Sequence, residues 1–271
     1  MTMKILTLDL KRSLKSTLIW SIALGLSLFF VIIIYPLFKD MMDAINVVIE
    51  QLESLDIAFL DFIDTFGGIP TNGVEYFATE GAMFMQIAAG MFASLLGFSI
   101  INKEDREKTS EMLFTLPIER SSYLLEKMIS VFIQIVLFMV IQLGVIAVGF
   151  AIVAPNENIT SLFVFGFFDG LMLLMIAYLA MGLGLLMKPG ASTLFPLIIP
   201  IPLYIITTIA YATDNDTLRL VRFLSPFTFA EPVGFLKDQH DFEWLNFGIF
   251  GLLTLVVIIL SFIAFKKREI V

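Results

Sequence analysis

The chain alternates between long apolar runs and short polar segments, and the runs are long enough to cross a lipid bilayer. A membrane-spanning helix needs about 20 consecutive apolar residues. The pattern therefore predicts an all-α membrane protein with six transmembrane helices in a single domain over residues 1–271. The predicted spans are Leu18–Phe38, Gly81–Ile101, Met128–Ala154, Leu162–Met187, Ala191–Tyr211 and Trp244–Phe265.

Three segments outside these runs have a pattern of their own. Residues 1–17 place basic side chains among leucines, which is typical of a helix that lies in the membrane interface. From Lys39 to Phe66 apolar positions recur every three or four residues, as on one face of a helix. Residues 39–80 are therefore predicted to form an outer amphipathic segment that either caps the bundle or gates a substrate. Residues 212–243 form a second outer segment, which either folds as a plain loop or re-enters the membrane.

The distribution of basic residues predicts the orientation. With the N-terminus in the cytoplasm, only Lys39, Arg219, Arg222 and Lys237 lie outside, and the remaining 13 of the 17 Lys and Arg residues lie inside. Basic residues accumulate on the cytoplasmic side of membrane proteins. Both termini are therefore predicted to be cytoplasmic.

Composition excludes several classes of site. The chain is 58% hydrophobic and 15% charged, has no cysteine, and has a single histidine, His240. Disulfides and thiolate metal sites are therefore excluded, and a histidine-based zinc site is disfavoured. A net charge of −8 is unfavourable for nucleic-acid binding.

Polar groups and prolines inside the predicted spans are candidates for a translocation pathway, because such groups are costly in lipid. The candidates are Gln86, Gln134, Gln142, Pro196 and Pro200. Bonds between helices would equally explain the glutamines. Asp169 is close enough to the end of its span to be expected at the outer interface.

Small residues indicate where helices approach closely. Ala89, Ala93 and Gly97 recur every four residues in the second span, a spacing that favours close helix contact. The second span, like the fifth, is therefore a candidate for the contact between two copies of the chain.

The inner connection at residues 102–127 is the most informative polar segment. It begins at Asn102, a candidate helix cap, and contains an apolar cluster that is stopped by Pro117. A loop between two spans does not need such a cluster, which requires a partner to bury it. The partner is either the N-terminal helix of the same chain or another protein.

This connection carries a family signature. The sequence "INKEDREKTSEMLFTLPIERSSYLLEK" resembles the segment that follows the second span in permeases of type 2 ABC exporters, which are bacterial exporters of drugs, peptides and polysaccharides. The opening "LDLKRSLKSTLIW" and the closing "FKKREI" are similar to the same family. The signature positions are Glu111, Leu113, Pro117, Ile118, Arg120 and Lys127.

The resemblance implies a subunit that is powered by another protein. The inner connection would be a coupling helix seated in a separate ATPase subunit, with Glu111 and Arg120 at the contact and Met112, Leu113 and Phe114 buried in it. Two permease chains would pair as a homodimer or heterodimer in the bacterial cytoplasmic membrane. ATP and Mg²⁺ would be bound by the partner, and no cofactor is expected in this chain, which has no Gly-Lys pair for a phosphate-binding loop.

Three other functions remain open at this stage. An ATP-independent carrier or channel would place ion-binding groups near the midplane, and the sequence shows no charged cluster there. A membrane-embedded protease would need a catalytic motif, and neither HExxH nor GxSxG occurs. A scaffold without transport activity is the third. For a transporter, the apolar spans favour an amphipathic peptide, a hydrophobic drug or a lipid as substrate.

Overall fold

The computed structural model describes residues 4–52, 70–106, 119–187, 192–211, 220–237 and 242–267, which contain helices and turns and no strand. The prediction of an all-α protein is confirmed over these residues. The principal helices are α1 (Lys4–Leu52), α2 (Gly73–Tyr76), α3 (Met83–Arg106), α4 (Arg120–Val153), α5 (Thr160–Leu186), α6 (Pro200–Tyr211), α7 (Pro232–Leu236) and α8 (Trp244–Lys267).

Five helical stretches of the described residues are long and apolar enough to cross a membrane. They are Ile5–Met41, Gly73–Glu104, Arg120–Val153, Thr160–Leu186 and Trp244–Phe265. The chain is therefore a multi-pass membrane protein. These stretches correspond to the first, second, third, fourth and sixth predicted spans.

The helical stretch in the predicted fifth span, Phe195–Tyr211, is shorter than the other five apolar stretches. Helix α6 has 12 residues, which is about 18 Å of rise and short of the roughly 30 Å hydrocarbon core. The helix is short because prolines lack a backbone N–H and break the ladder. A 3₁₀ turn at Phe195–Ile198 contains Pro196, and α6 starts at Pro200.

The first helix is longer than predicted. Helix α1 has 49 residues and joins the predicted interfacial helix, the first span and the beginning of the outer segment in one continuous rod. Its only glycine is Gly25 and its only proline is Pro36, so nothing in its sequence ends the helix between residues 15 and 18. Residues 53–69, which complete the predicted amphipathic face, lie outside the described residues.

Helix α3 packs closest against α5. A Cβ at Gly97 would lie 1.9 Å from the carbonyl oxygen of Ala177, so no side chain fits there. Ala89 and Ala93 are fully buried on the same helix. The small residues of the second span thus serve a contact within the chain, and this face is not available for a contact between two copies.

A π-helical segment, Phe77–Ala82, joins α2 to α3 without a break. Phe77, Ala78 and Ala82 in this segment are fully buried. The wider turn changes the direction of the side chains relative to a regular helix, and such segments frequently occur at functional sites. Here the segment contacts α1 on one side and α7 on the other.

The second outer segment folds inward as short turns. The 3₁₀ turns Leu220–Leu224 and Pro226–Thr228 precede α7. All residues from Ser225 to Ala230 are buried. Asn246 on α8 anchors the segment by donating its Nδ2–H to the carbonyl oxygen of Ser225 at 3.0 Å. Residues 225–230 therefore pack into the bundle, and re-entry of this segment into the membrane stays a prediction.

The ends of the long helices contact one another at two opposite ends of the bundle. At one end, the side chain of Glu157 accepts hydrogen bonds from the Gly73 amide at 2.7 Å and the Tyr35 hydroxyl at 3.3 Å. At the other end, the beginnings of α1 and α4 meet the end of α3. The long helices α1, α3 and α4 therefore run in alternating directions, as repeated crossing of a membrane requires.

Candidate functional site

The ends of three helices that are predicted to lie on the inner side of the membrane meet at a fully buried lysine. The Lys127 ammonium on α4 donates to the Glu104 Oε1 atom at 2.6 Å and to the Ile100 carbonyl oxygen at 2.6 Å, both on α3. It also lies 3.4 Å from the Asp9 Oδ2 atom on α1. The exposed fractions of Lys127, Asp9 and Glu104 are 0%, 3% and 4%. A single cation therefore joins three helices in an environment without bulk water.

The residue before this lysine also holds α1. The Glu126 Oε2 atom accepts a hydrogen bond from the backbone amide of Leu6 at 2.9 Å. Leu6 lies in the first turn of α1, where backbone amides have no acceptor within the helix and carry partial positive charge. A carboxylate of α4 therefore caps α1. We refer to Asp9, Glu104, Glu126 and Lys127 as the inner polar cluster.

Removal of any charged side chain from the inner polar cluster is expected to destabilise the fold. Removing one partner of a buried ion pair leaves an uncompensated charge and costs about 3–5 kcal/mol. Two carboxylates depend on the Lys127 ammonium, and the Tyr123 ring lies under it at 5.0 Å. The cluster therefore fixes the relative positions of the three helix ends rather than adding stability by itself.

The inner polar cluster brackets the predicted coupling loop. Helix α3 ends at Arg106 and α4 begins at Arg120, and the Glu104–Lys127 pair closes the two flanks of the segment between them. The predicted coupling residues Glu111, Met112, Leu113, Phe114 and Pro117 lie outside the described residues.

Two predictions at the edges of this loop can be compared with the structure. The coupling candidate Arg120 is the first residue of α4 and is half-buried. Asn102 is not a helix cap, because it lies within α3 and donates its Nδ2–H to the Phe98 carbonyl oxygen at 3.1 Å. Helix α3 continues past Asn102 because nothing in the sequence up to Arg106 breaks it.

A second buried polar group lies toward the outer end. The Gln86 Nε2 group donates to the Asp169 Oδ1 atom at 3.2 Å and to the Ala230 carbonyl oxygen at 2.5 Å. The exposed fractions of Gln86 and Asp169 are 1% and 0%. The expectation that Asp169 reaches the outer interface is wrong, because it lies about 14 Å along α5 from Thr160 and faces α3. We refer to Gln86 and Asp169 as the outer polar pair.

The other two candidate glutamines connect α1 to α4. The Gln134 Oε1 atom accepts from the Thr17 hydroxyl at 2.7 Å, and the Gln142 Nε2 group donates to the Ser21 carbonyl oxygen at 3.0 Å. Both glutamines are fully buried. These bonds account for their burial, and a role in the pathway stays a prediction.

The candidate prolines lie where α6 meets α3. The Pro196 carbonyl oxygen accepts from the Ser94 hydroxyl at 2.6 Å, and Pro200 lies buried near Gly90. The accepting carbonyl group belongs to the 3₁₀ turn. The prolines thus shorten α6 and leave it fixed against α3.

Sequence reasoning identified Lys127 but not the residues that it contacts. Lys127 was identified as a signature position, whereas Asp9 and Glu104 were not identified as its partners. Within the described residues no group of three or more acidic or histidine side chains has a metal-binding arrangement.

Comparison with protein families yields one match. The model of the family described as ABC-2 family transporter protein matches residues 3–270. No curated protein and no solved structure matches the chain.

Proposed function

Because the chain belongs to the ABC-2 family of transporter proteins, we propose that it is the permease subunit of an ATP-driven exporter, powered by a separate ATPase subunit. The observation that carries the proposal is the family match over nearly the whole chain, together with five helices that can cross a membrane. The family supplies the membrane component of such transporters and not the ATPase, and ABC-2 permeases typically work with an ATPase subunit.

The loop between α3 and α4 is the proposed docking segment for the ATPase. Its predicted apolar cluster needs a partner, and the Glu104–Lys127 pair keeps its two flanks together. A segment held at both ends by a buried ion pair can pass a force to the helices on either side. We assign contact with the ATPase to Glu111 and Arg120 and burial in its cleft to Met112, Leu113 and Phe114.

The proposed transporter contains two permease chains in a bacterial cytoplasmic membrane, with both termini inside. Large apolar side chains are exposed along α8, among them Leu252, Leu255 and Ile259. Lipid or a second chain would cover such a surface. The proposed substrate is a hydrophobic or amphipathic peptide, drug or lipid, because the spans offer few fixed charges to a polar solute.

One observation favours a second candidate, an ATP-independent carrier. Asp169 is a fully buried carboxyl group within a spanning helix, and carriers use such groups for ions or protons. Transport by the purified chain alone in sealed vesicles, without ATP or an ATPase subunit, would support the carrier and contradict the exporter.

The docking assignment is tested by placing charge in the predicted apolar cluster. We expect the double substitution Leu113→Asp and Phe114→Asp to abolish retention of the ATPase subunit, because a buried apolar contact would receive two carboxylates. The measurement is co-purification of an ATP-hydrolysing subunit with the tagged chain from native membranes in mild detergent.

A matched control separates the apolar contact from a general effect of charge. Ser192 and Thr193 are exposed in the turn before α6, on the same predicted side of the membrane. Ser192→Asp with Thr193→Asp adds the same charge and is expected to retain the ATPase subunit. Retention by the Leu113/Phe114 variant at the wild-type level would contradict the docking assignment.

A further inference from the structure

We propose that the outer polar pair is a proton-binding site, in which Asp169 carries a proton whenever α3, α5 and the segment that precedes α7 are packed together as the structure describes. The site lies apart from the proposed docking loop, and the inference holds whether the chain works with an ATPase subunit or alone. The ligand is a single proton, and the packing of these three elements therefore depends on pH.

The first step of the argument concerns the orientation of the Gln86 amide. Its Nε2 group lies 2.5 Å from the Ala230 carbonyl oxygen and 3.2 Å from the Asp169 Oδ1 atom. A carbonyl oxygen can only accept a hydrogen bond, so the group that faces Ala230 is the amide NH₂ and not the amide oxygen. One amide hydrogen serves Ala230 and the other serves Asp169. Gln86 therefore gives Asp169 one hydrogen bond and has no second one to give.

The second step concerns the other carboxyl oxygen of Asp169. The side chain is fully buried, and its Oδ2 atom has no hydrogen-bond partner among the described residues. An ionised carboxylate has about four acceptor positions to satisfy, and burying an isolated charge costs far more than burying a neutral polar group. One amide hydrogen does not offset that cost. A protonated carboxyl group fits the site, because Oδ1 accepts from Gln86 while Oδ2 carries the hydrogen.

The third step concerns the helices that pack around Asp169. Phe235 of α7 and Phe247 of α8 both pack against Phe168, the residue before it, with ring centroids 5.9 Å and 6.4 Å apart. From α4, the Met139 Cγ atom lies 3.5 Å from where the next residue of α5, a glycine, would carry a Cβ. These neighbours are apolar, so none of them can neutralise a carboxylate.

The fourth step concerns the charged groups. None of the ion pairs that the structure gives for the described residues includes Asp169. Glu231 follows Ala230 in the sequence, and its two carboxyl oxygens accept from backbone amides of α7 at 3.0 Å and 2.5 Å. The group that reaches Asp169 from α3 is the neutral Gln86 amide. A bound proton is therefore what removes the charge of Asp169.

The consequence is a defined dependence of stability on pH. An unfolded chain exposes Asp169 to water, where an aspartate is ionised above about pH 4. Over that range the folded chain binds one proton more than the unfolded chain at this position. The contribution of Asp169 to stability therefore falls as the pH rises, until the folded protein itself loses the proton.

The direct test is the infrared spectrum of the purified chain at about pH 8, where an aspartate in water is ionised. A maltoside detergent is used because it has no carbonyl group. A protonated carboxyl group has a C=O stretching band at a frequency where carboxylates and amides do not absorb. We expect this band in the wild type and a loss of its intensity in Asp169→Asn. Asp40→Asn, the same change at an exposed position of α1, is the matched control and should keep the full intensity.

A second measurement compares the melting temperatures of the wild type and Asp169→Asn from about pH 5 to about pH 9. Asparagine has the size and neutrality of a protonated aspartic acid, so the two proteins should melt closest together at the acidic end. Toward alkaline pH the wild type should lose stability relative to the variant, by up to about tenfold in the folding equilibrium constant per pH unit. The other acidic groups are common to both proteins and cancel in the difference.

Four results would overturn the inference. They are an undiminished infrared band in Asp169→Asn, an equal loss of the band in Asp40→Asn, failure of Asp169→Asn to fold, and a melting-temperature difference that is the same at every pH. Stabilisation of the wild type, but not of Asp169→Asn, by sodium chloride over N-methylglucamine chloride at equal concentration would assign the site to a sodium ion instead of a proton. None of these measurements involves an ATPase subunit, so their failure would leave the proposed function intact.

Discussion

At the scale of single residues, the outer polar pair shows how one amide can satisfy groups on two other elements. Gln86 on α3 donates to a carboxyl group of α5 and to the carbonyl group of Ala230 in the segment that precedes α7. None of these groups can reach bulk water, because all three residues are fully buried or nearly so. Gln86 therefore holds the segment that precedes α7 against the bundle.

Replacing Gln86 with leucine tests that role. Gln86→Leu keeps the side chain near its original size and removes both donated hydrogen bonds. A buried acceptor left without a donor costs about 1–3 kcal/mol, and this change leaves two. We expect a lower apparent melting temperature of the purified chain in detergent, followed by size-exclusion fluorescence.

Asp169→Asn is the comparison for Gln86→Leu. It retains the Oδ1 acceptor that faces Gln86, so the drop in melting temperature should be smaller. An equal or larger drop in Asp169→Asn would show that the carboxyl charge, and not the Gln86 bonds, determines the stability of this region.

The sequence predicts some properties of Lys127 and not others. Its place in the family signature was evident, because the signature depends on residue types at fixed spacing. Its burial was not evident, because its partner Asp9 lies on the helix of the first span, far from Lys127 in the sequence. Pairing between distant positions depends on how helices pack, and periodicity along one helix contains no information about that.

At the scale of helices, the contact between α3 and α5 depends on the absence of a side chain at Gly97. We expect Gly97→Val to lower the apparent melting temperature, because overpacking alone costs about 1–3 kcal/mol and the obstacle here is a rigid carbonyl group of Ala177. Gly144 is the matched control, since a Cβ there has no neighbour within 4 Å.

The two glycine variants are measured side by side in the same detergent. Gly144→Val should melt within error of the wild type, because its first side-chain atom meets no neighbour. Equal losses in Gly97→Val and Gly144→Val would mean that helix propensity, and not the α3–α5 contact, explains the effect.

Hydrophobic length predicted most of the helices, and a membrane crossing at α6 stays a prediction. Five of the six apolar runs correspond to helices long enough to span the bilayer, because length and composition decide that property. The run at Ala191–Tyr211 has the required composition, yet its prolines divide it. The sequence also did not reveal that residues 1–17 and the first span form one continuous helix, because a basic apolar pattern fits a straight helix as well as a bent one.

At the scale of the whole molecule, the orientation remains a prediction from the basic residues. The chain has no native cysteine, so single cysteines can report sidedness. Asn156 is exposed in the turn between α4 and α5, and Lys11 is exposed near the start of α1. We expect a membrane-impermeant maleimide to label Asn156→Cys in intact cells and Lys11→Cys only after the cells are opened.

Labelling of Lys11→Cys in intact cells would reverse the orientation and would place the proposed docking loop outside the cytoplasm. ATPase contact at that loop would then be impossible, because ATP is held inside the cell. The measurement therefore tests the orientation and the proposed function together.

The length of α1 has a mechanical consequence. Its 49 residues extend over about 74 Å, whereas a bilayer with its headgroups is about 40–45 Å thick. A rod that long projects beyond the membrane, and tilting it about its middle swings its two tips in opposite directions. A small displacement of the N-terminal tip would then appear at the other tip in the opposite direction, without any change in the neighbouring helices.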